Sequence, residues 1–477
     1  MINPNSFYQP RKQIRSLEIE KLKLSNFVLD DSGKRPVSIS VVIPTFNKND
    51  KEYNRAVLNV ISACGRLIDE GVIDEVVIAE GSRTKKGEID REFIEFLLSI
   101  AVKYSKTFER EVEFIRSLPA GKMKSLQSRY NFSFRILNQI DPELHEIYLE
   151  HEILSEEEIE YLKSGKGANM WFSVPVTYGD IVCFVDSDAI SFRKHYIKGL
   201  CLPILKGWKS SIKDGEQSSV VFTKASYIRQ HKTRRGFKIG GRLSRLFGIP
   251  MFNLLAKHGI FNGLENITYP FSGEFAITRN TLNKLQFSNG YDIEISILCQ
   301  LWKNVGIKKI REYNVGFFRH LPGSEEHVDK MLEEISMALF YWIRRYGFMD
   351  KIDNIDALLE EYERVAIDTL EIYSKIAQKM PSRVRYDERD MEEDRKRIKR
   401  YKQIIKRGYE LSKTHEPKLL KPWESIKSYL NSKRGYSYQN LKSTLQNRVN
   451  KFTSDMILSY IRVYVDRSNE IISKFTE

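Results

Sequence analysis

The feature that most constrains the fold is a short apolar run that ends in two acids. The stretch from Gly179 to Phe192 reads GDIVCFVDSDAISF, and its five apolar residues precede Asp186, Ser187 and Asp188. A run of this kind, bounded by Gly-Asp and by acids, predicts a buried parallel strand, and parallel strands present functional groups at their carboxyl ends. The sequence therefore predicts two carboxylates at the exit of a strand.

Asp186 and Asp188 can be interpreted in two ways. Two acids one residue apart repel each other and are costly to desolvate. A hard divalent cation would relieve that cost and leave positions open for diphosphate oxygens. Alternatively, Asp-Ser-Asp only turns the chain or caps a helix that begins near Phe192. The apolar strand in front of the acids favours the metal site.

Composition limits the class of protein and of partner. The chain has 477 residues, 41% hydrophobic and 29% charged, which is typical of a soluble folded protein with a large core. Its formal net charge of +14 favours an anionic partner, such as a nucleotide sugar, a phosphorylated metabolite, nucleic acid or an acidic lipid. The 4 cysteines lack a CxxC pair, which predicts buried thiols in a reducing compartment. Neither a membrane span nor a signal-peptide core is recognisable, so a cytoplasmic location is expected.

Two further strands are predicted ahead of the acidic motif. Val37 to Pro44 predicts the first strand, Tyr53 to Glu70 a helix, and Val72 to Ala79 a second strand. Strand, helix and strand of these lengths form a βαβ unit, whose right-handed crossover makes the two strands parallel. From Ile89 to about Leu162 the pattern is mostly helical and predicts an insertion that covers one side of the sheet.

Four other features are candidate parts of a site, and each has a structural alternative. GKG at 165–167 places a cation where a phosphate could bind, or is a flexible basic turn. GGR at 240–242 opens a helix, where amides and a guanidinium converge on an anion, or is an ordinary connection with solvated bases. Glu274 lies in the apolar segment YPFSGEFAIT and is either structural and paired or functional. His320 ends the last predicted strand, and a lone histidine is more often structural than a metal ligand.

The predicted organisation has three parts. Residues 1–35 are polar and basic and predict an amino-terminal arm. Residues 36–328 contain the predicted strands and form an α/β domain. Residues 329–477 predict a helical, basic region that contains no recognisable catalytic constellation and offers a surface for a homodimer contact.

The order of the motifs resembles that of the GT-A glycosyltransferases. A strand ending in VIPTFN is followed by GKG, a strand ending in DSD, GGR, SGEFA, GYDIE and a strand ending in histidine. Within the GT-A enzymes this combination is most similar to the glucosyl-3-phosphoglycerate synthases, retaining enzymes that transfer glucose from UDP-glucose to 3-phosphoglycerate. The resemblance covers about Val37 to Leu321. It implies an α/β fold with a Rossmann-like, mostly parallel central sheet flanked by helices, and a helical carboxyl-terminal extension.

The resemblance also implies a role for particular residues. It implies that Mg2+ or Mn2+ binds to Asp186, Asp188 and His320. It also implies that Asp188, Glu274 and Glu294 are catalytic, with Glu274 and Glu294 lining the sugar pocket. The donor-binding residues that it implies are Pro44, Thr45, Asn47, Glu80, Lys166, Asp186 and Ser187. The acceptor's phosphate and carboxylate would bind at Gly241, Arg242 and Ser244.

Several departures from the family leave alternatives open. The family's Asn-Glu after the first strand is Asn47-Lys48 here, its Asp-Ser-Gly-Ser is Ala79-Glu80-Gly81-Ser82, and its Arg before the histidine is Phe318. Mannosyl transfer from GDP-mannose, or transfer to another acceptor, is therefore one alternative. The other is a nucleotide-sugar or nucleic-acid binding protein without turnover. Nucleic acid is not the expected partner, because the basic residues of the tail are not interleaved with aromatic ones.

Overall fold

The computed structural model describes residues 37–119, 122, 126–214, 220–233, 236–319, 321, 323–379, 384–464 and 468–477. These residues form two compact units, each assembled from separate segments. The first unit contains 37–223, Glu274–Asn289 and Leu420–Glu477, and the second contains Lys224–Gly273 and Gly290–Leu419. The predicted arm at 1–35 lies outside the described residues, and the predicted domain boundaries stay predictions.

Strands and helices are numbered here in chain order. The strands are β1 (Ile39–Thr45), β2 (Glu75–Glu80), β3 (Phe134–Asn138), β4 (Ile181–Phe184), β5 (Phe222–Thr233), β6 (Gly236–Ile239), β7 (Phe275–Thr278), β8 (Phe287–Ser288), β9 (Ile310–Arg319), β10 (Val384–Arg385) and β11 (Leu419–Leu420). The α-helices are α1 (Lys51–Asp69), α2 (Arg91–Tyr104), α3 (Lys106–Ser117), α4 (Pro142–Glu150), α5 (Glu156–Leu162), α6 (Lys166–Val176), α7 (Lys194–Asp214), α8 (Ile249–Lys257), α9 (Arg279–Leu282), α10 (Ile293–Asn304), α11 (Glu325–Arg345), α12 (Ile355–Gln378), α13 (Glu388–Thr414), α14 (Trp423–Ser432), α15 (Tyr438–Tyr464) and α16 (Ser468–Thr476).

The sheet of the first unit has the strand order β3-β2-β1-β4-β7. β1 pairs in parallel with β2 and with β4, β2 pairs in parallel with β3, and β7 runs antiparallel to β4. Every residue of β2, β3 and β4 is buried, as is usual for a parallel sheet that helices cover on both faces. The predicted βαβ unit, the buried strand before Asp186 and the α/β fold class are confirmed.

Strand β3 lies in the stretch for which the sequence predicts only a helical insertion. Helices α2 to α5 are present there as expected, but β3 adds a strand to the sheet. Its pattern is interrupted by Arg135, whose side chain is fully buried and forms an ion pair with the equally buried Glu75 of β2. Arg135 also donates a hydrogen bond of 2.7 Å to the carbonyl oxygen of Val176. A charged residue inside an apolar strand is uncommon, which explains why the pattern hides this strand.

The last two helices belong to the first unit and pack on its edge. The Ile136 N–H of β3 donates to Thr453 Oγ1 of α15 at 2.9 Å. In α16, the Phe475 ring stacks on the Phe96 ring with a centroid distance of 4.7 Å. These contacts make α15 and α16 part of the core of this unit.

The second unit combines paired strands with long helices. β6 pairs antiparallel with β5 and in parallel with β10, and β9 pairs with β5. The basic stretch from Arg229 to Lys232 therefore lies in paired strands. A π-helical turn covers Leu243–Gly248, and the Tyr362 hydroxyl of α12 donates to its Leu246 carbonyl at 2.8 Å. The predicted helical carboxyl-terminal region is confirmed by α11 to α16.

Two expectations from composition concern the cysteines and membrane helices. The four cysteines are buried and none is in a disulfide, as expected. In the part of the chain that the structure describes, no helix combines the length and the apolar character that a membrane crossing requires.

Candidate active site

Asp186, Ser187 and Asp188 follow β4 after the single residue Val185, so both acids lie at its carboxyl end as predicted. The side chains of Asp186 and Asp188 are 21% and 16% exposed, whereas Ser187 is buried. Helix α7 begins only at Lys194, so the acids do not cap it. The acids therefore remain accessible to a ligand at the edge of the sheet.

Each of the two acids pairs with a lysine of the same unit. Lys166 Nζ lies 2.6 Å from Asp186 Oδ1, and Lys48 Nζ lies 3.3 Å from Asp188 Oδ2. Lys48 also lies over the Tyr53 ring, 4.7 Å from its centroid. The two lysines supply the positive charge that neighbouring carboxylates require. Lys48, which stands where the resemblance expects an acid, thus contacts one of the two key carboxylates.

The glycines beside Lys166 are required by close packing. Gly165 has φ of +107°, and a Cβ at Gly167 would lie 1.7 Å from the Ser288 carbonyl oxygen. The Ala168 N–H donates to Asn289 Oδ1 at 3.1 Å. Only glycine is compatible with such an approach of two backbones. The GKG sequence is therefore a tight junction that fixes the start of α6, and not the flexible turn of the alternative interpretation.

Glu274 lies just before β7 and is a third acid of this region. It is 1% exposed. Burial, and then the charges of Asp186 and Asp188, raise the pKa of Glu274 to about 8, although Lys166 acts in the opposite direction. A carboxyl group with such a pKa is mostly protonated at neutral pH and can donate a hydrogen bond.

Tyr53 of α1 connects the end of β1 to the acidic motif. Its hydroxyl oxygen lies 2.9 Å from Ser187 Oγ and accepts a hydrogen bond from the Phe46 N–H at 3.1 Å. Burial raises the pKa of the Tyr53 hydroxyl well above its ordinary value, so the group stays neutral. The sequence predicts no role for Tyr53, whose one signal is its place in the first turn of a helix capped by Asp50.

The turn after β2 is built around Glu80, which has no exposed surface. Its carboxylate accepts hydrogen bonds from the Ser82 N–H and, at 2.7 Å, from Asn138 Nδ2. Burial raises the pKa of Glu80 to about 8. Ser82 Oγ in turn accepts a hydrogen bond of 2.6 Å from the Asn47 N–H. Glu80 therefore holds the turns after β1 and β2 together and is not on the surface of the site.

Pro44 and Thr45 form the carboxyl end of β1, the neighbour of β4. Thr45 is 3% exposed, and its hydroxyl oxygen makes no hydrogen bond with any residue that the structure describes. A buried hydroxyl without a partner is costly, so a bound molecule that reaches this strand end would gain by satisfying it.

Gly241 and Arg242 lie in the second unit, at the start of the π-helical turn. Gly241 has φ of +74°, and a Cβ there would lie 2.5 Å from the Tyr269 hydroxyl oxygen, so another residue would not fit. Arg242 forms an ion pair with Glu325 of α11 and donates to the Gly323 carbonyl at 2.7 Å. The guanidinium predicted to bind an acceptor anion is thus held by a carboxylate of the chain itself.

Ser244, Glu294 and His320 complete the predicted set. Ser244 is buried, and its Oγ accepts a hydrogen bond of 3.3 Å from the Phe271 N–H. Glu294 is half-buried in the first turn of α10. His320 lies outside the described residues, so its role stays a prediction. Phe318, which stands where the family has arginine, is buried and stacks on the Tyr227 ring at 4.3 Å.

The fit of a divalent cation rests on Asp186 and Asp188. Among the described residues, no group of three or more His, Cys, Asp or Glu side chains is placed to hold a metal ion. Magnesium, however, is commonly bound by only one or two carboxylates, with substrate phosphates and water as further ligands. The two partly exposed carboxylates have the required oxygen chemistry, and both already attract cations, because each is paired with a lysine.

Comparison with known proteins gives sequence relatives of one kind and no matching family model. Glucosyl-3-phosphoglycerate synthase of Mycolicibacterium paratuberculosis is 26% identical over 295 residues, which cover 61% of this chain and 68% of the relative. The synthase of Mycolicibacterium smegmatis is 32% identical over 39% of this chain and 56% of the relative. That of Petrotoga mobilis is 28% identical over 39% of this chain and 53% of the relative. The chain thus spans little more than half the length of two of these relatives.

The solved structures to which this chain is similar include glucosyl-3-phosphoglycerate synthases, but the similarity is weaker than that of the sequence relatives. One is glucosyl-3-phosphoglycerate synthase of Mycobacterium tuberculosis with Mn2+, UDP and glucosyl-3-phosphoglycerate. It superposes with a TM-score of 0.43 and 22% identity, over 64% of this chain and 80% of that chain. A superposition this weak carries no argument about function. In its motifs, its mostly parallel sheet and its sequence relatives, the chain is similar to the glucosyl-3-phosphoglycerate synthases.

Proposed function

We propose that the chain is a retaining, metal-dependent glycosyltransferase that moves glucose from UDP-glucose to 3-phosphoglycerate and forms glucosyl-3-phosphoglycerate. The observation that carries the proposal is the convergence of Lys166 with Asp186, Asp188 and Glu274 at the carboxyl end of β4. Carboxylates and a lysine are the groups that bind a cation and a diphosphate. The sequence relatives bear the name of synthases of this product.

Asp186 and Asp188 would hold Mg2+ or Mn2+, with His320 as a further ligand. The ion would neutralise charge on the leaving diphosphate. Binding of the cation requires Lys48 and Lys166 to leave the two acids, after which Lys166 would bind a diphosphate oxygen.

The remaining donor residues divide into contact and positioning residues. Thr45, with its buried hydroxyl, and Pro44 would contact the nucleotide at the end of β1. Asn47, Glu80 and Ser187 are engaged in hydrogen bonds within the protein and would act by fixing the turns that surround the nucleotide. This division supports a donor site in which much of the wall is rigid before the donor binds.

The acceptor would bind through Gly241, Arg242 and Ser244 of the second unit. A guanidinium at the start of a helical turn suits a phosphate or carboxylate, because charge-assisted hydrogen bonds are strong and directional. The anionic acceptor would compete with Glu325 for the Arg242 guanidinium, because both are anions that its N–H groups attract.

The transfer itself needs no carboxylate nucleophile. The bond between C1 of glucose and the diphosphate oxygen breaks, and C1 forms a bond with the acceptor hydroxyl oxygen on the same face. The hydroxyl proton passes to the departing diphosphate oxygen. Glu274 and Glu294 would bind sugar hydroxyls through their carboxyl groups.

One observation keeps a second donor in consideration. Lys48 pairs with Asp188 at 3.3 Å, although the resemblance expects an acid at this position. A lysine in place of an acid changes the charge beside the nucleoside of the donor. GDP-mannose is therefore the alternative donor.

The proposal is tested with purified protein, Mg2+ and 3-phosphoglycerate, supplied in parallel with UDP-glucose or GDP-mannose. Nucleoside diphosphate release and the mass of the phosphorylated glycoside are measured. We expect glucosyl-3-phosphoglycerate from UDP-glucose, its loss with a chelator, and a decrease of about a hundredfold or more in Asp188→Ala and Arg242→Ala, since each change removes charge stabilisation at the reacting groups.

Exposed residues supply the matched control for these two variants. Glu326→Gln changes an exposed side chain next to Glu325 and should leave the rate unchanged. If only GDP-mannose gives product, the donor is GDP-mannose and not UDP-glucose. Full activity in Asp188→Ala would overturn the proposed metal site. If both donors protect the protein against thermal unfolding but no product forms, the assignment of 3-phosphoglycerate as the acceptor is wrong.

A further inference from the structure

A cavity of about 530 Å³ lies in the first unit, and none of its lining residues belongs to the candidate active site. One wall is formed by α1, the opposite wall by the start of α7, and the Tyr104 side chain at the end of α2 closes one side. This volume is within the range of small-molecule sites, roughly 300 to 1,000 Å³.

The cavity is strongly basic. Four cationic side chains line it, contributed by Arg66, Arg193, Lys194 and Lys198. Lys194 and Lys198 share a single acid, Glu70, with Lys198 Nζ 3.0 Å from Glu70 Oε2. Clustered like charges repel each other, so the cluster as a whole is stabilised by an additional anion.

The two arginines carry the excess charge. In the described part of the chain, neither Arg66 nor Arg193 forms an ion pair. Arg66 lies over the Tyr104 ring, with its guanidinium carbon 5.7 Å from the ring centroid, which orients it without neutralising it. Arginine forks match phosphate oxygens in pairs, so two such groups at one cavity favour a phosphate ligand.

Lys198 is a buried cation among the residues that line the cavity. This residue is only 7% exposed, although lysine is seldom buried. The first turn of α7 lies at the same place, since the helix begins at Lys194, and helix starts attract anions. A buried cation, two arginines without ion pairs and a helix start therefore converge on one volume.

The other lining residues are His195 and a set of apolar or uncharged polar side chains. Leu58 and Ala63 of α1 and the Phe192 and Tyr104 rings provide surface for a non-polar group, and Asn59 and Ser62 supply polar atoms. We propose that this cavity is a second anion site, separate from the donor site, that binds a small organic phosphate. The phosphate would contact Arg66, Arg193 and the lysines, and the organic part would contact the apolar wall.

The proposal is tested by calorimetric titration with phenyl phosphate and with inorganic phosphate, in the presence of a chelator and without donor or acceptor. We expect phenyl phosphate to bind more tightly than inorganic phosphate, because only the former has an apolar part. Equal affinities would overturn the assignment to an organic phosphate.

Variants locate the binding. Arg66→Ala combined with Arg193→Ala should weaken phenyl phosphate at least about tenfold, since two charge-assisted contacts are lost. Arg55→Ala is the matched control, because it removes the same charge from an exposed position of α1 outside the cavity, and it should change the affinity less than about twofold.

Lys166→Ala distinguishes the cavity from the donor site. If this variant weakens phenyl phosphate and the double arginine variant does not, the anion binds at the donor site and the proposal is wrong. Because the titration uses neither metal nor nucleotide sugar, its result is independent of the proposed transfer reaction. All variants are first checked for an unchanged unfolding temperature, and the three arginines are exposed, so the fold should persist.

Discussion

At the scale of single residues, Lys48 controls the charge beside Asp188. Its Nζ lies 3.3 Å from Asp188 Oδ2 and competes with any cation for that carboxylate. Lys48→Gln should therefore strengthen Mn2+ binding, by about two- to fivefold, because a half-exposed pair is worth up to about 1 kcal/mol. Isothermal titration calorimetry measures the change. Lys51→Gln removes the same charge nearby and should have no effect, and weaker Mn2+ binding in Lys48→Gln would contradict the expectation.

Glu80 makes stability depend on pH. Its pKa is raised to about 8 in the folded protein, well above the ordinary value of 4.5. Between these two values the folded state holds a proton that the unfolded state has lost. The free energy of unfolding therefore falls as the pH rises, by about 1.4 kcal/mol per pH unit for this group.

Glu80→Gln removes this dependence, since glutamine is neutral at every pH. Urea unfolding at pH 5 and pH 8.5 should show a smaller loss of stability in the variant than in the unmodified protein. Glu88→Gln is the control, because Glu88 is exposed and lies in the same connection. An identical pH dependence of all three proteins would show that Glu80 is ionised in the folded state.

At the scale of elements, the ion pair between β2 and β3 holds the edge of the first sheet. Arg135 and Glu75 are both fully buried. Arg135→Ala leaves the Glu75 carboxylate without its charge partner, and we expect a loss of about 3 to 5 kcal/mol in the free energy of unfolding. Urea unfolding measures it.

A paired change separates the charge effect from packing. Arg135→Met with Glu75→Leu removes both charges and should recover most of the lost stability. Lys451→Ala breaks an exposed pair with Glu143 and should cost less than about 1 kcal/mol. A loss in the double variant as large as that in Arg135→Ala would show that the charges are not the cause.

Helix α13 brings further arginines to the proposed acceptor residue. Glu325 contacts Arg400 as well as Arg242, and Arg397 Nη2 lies 3.1 Å from Glu325 Oε1. Glu325→Gln removes the competing carboxylate, so the KM for 3-phosphoglycerate should fall by about two- to tenfold with the KM for UDP-glucose unchanged. Initial-rate kinetics measures both values against Glu326→Gln. A higher KM for the acceptor would show that Glu325 orients Arg242 instead.

The elements around the acidic motif were predictable, whereas several contacts were not. β1, β2 and β4 are apolar runs with clear boundaries, so their place and their parallel pairing follow from the sequence. β3 is not predictable in the same way, because its buried Arg135 is neutralised by Glu75 of another strand. The contacts of Tyr53 and Lys48 likewise depend on which strand ends are adjacent, and a residue pattern within one segment does not contain that information.

At the scale of the whole molecule, the proposed donor and acceptor residues belong to different units. Lys166 lies in the first unit and Arg242 in the second. In thermal unfolding, Lys166→Ala should lose protection by UDP-glucose with Mg2+ and keep protection by 3-phosphoglycerate, and Arg242→Ala should do the reverse. Loss of both in either variant would mean that the two ligands share residues.

The division of the chain into units has a consequence for how the protein is made. The first unit includes Leu420–Glu477, whose buried Thr453 contacts β3 and whose Phe475 ring stacks on the buried Phe96 ring. During synthesis, the sheet that carries Asp186 and Asp188 therefore emerges from the ribosome long before the helices that cover it. Until translation passes α15, the nascent chain lacks the helix that contacts β3, and this interval is when a chaperone would be needed most.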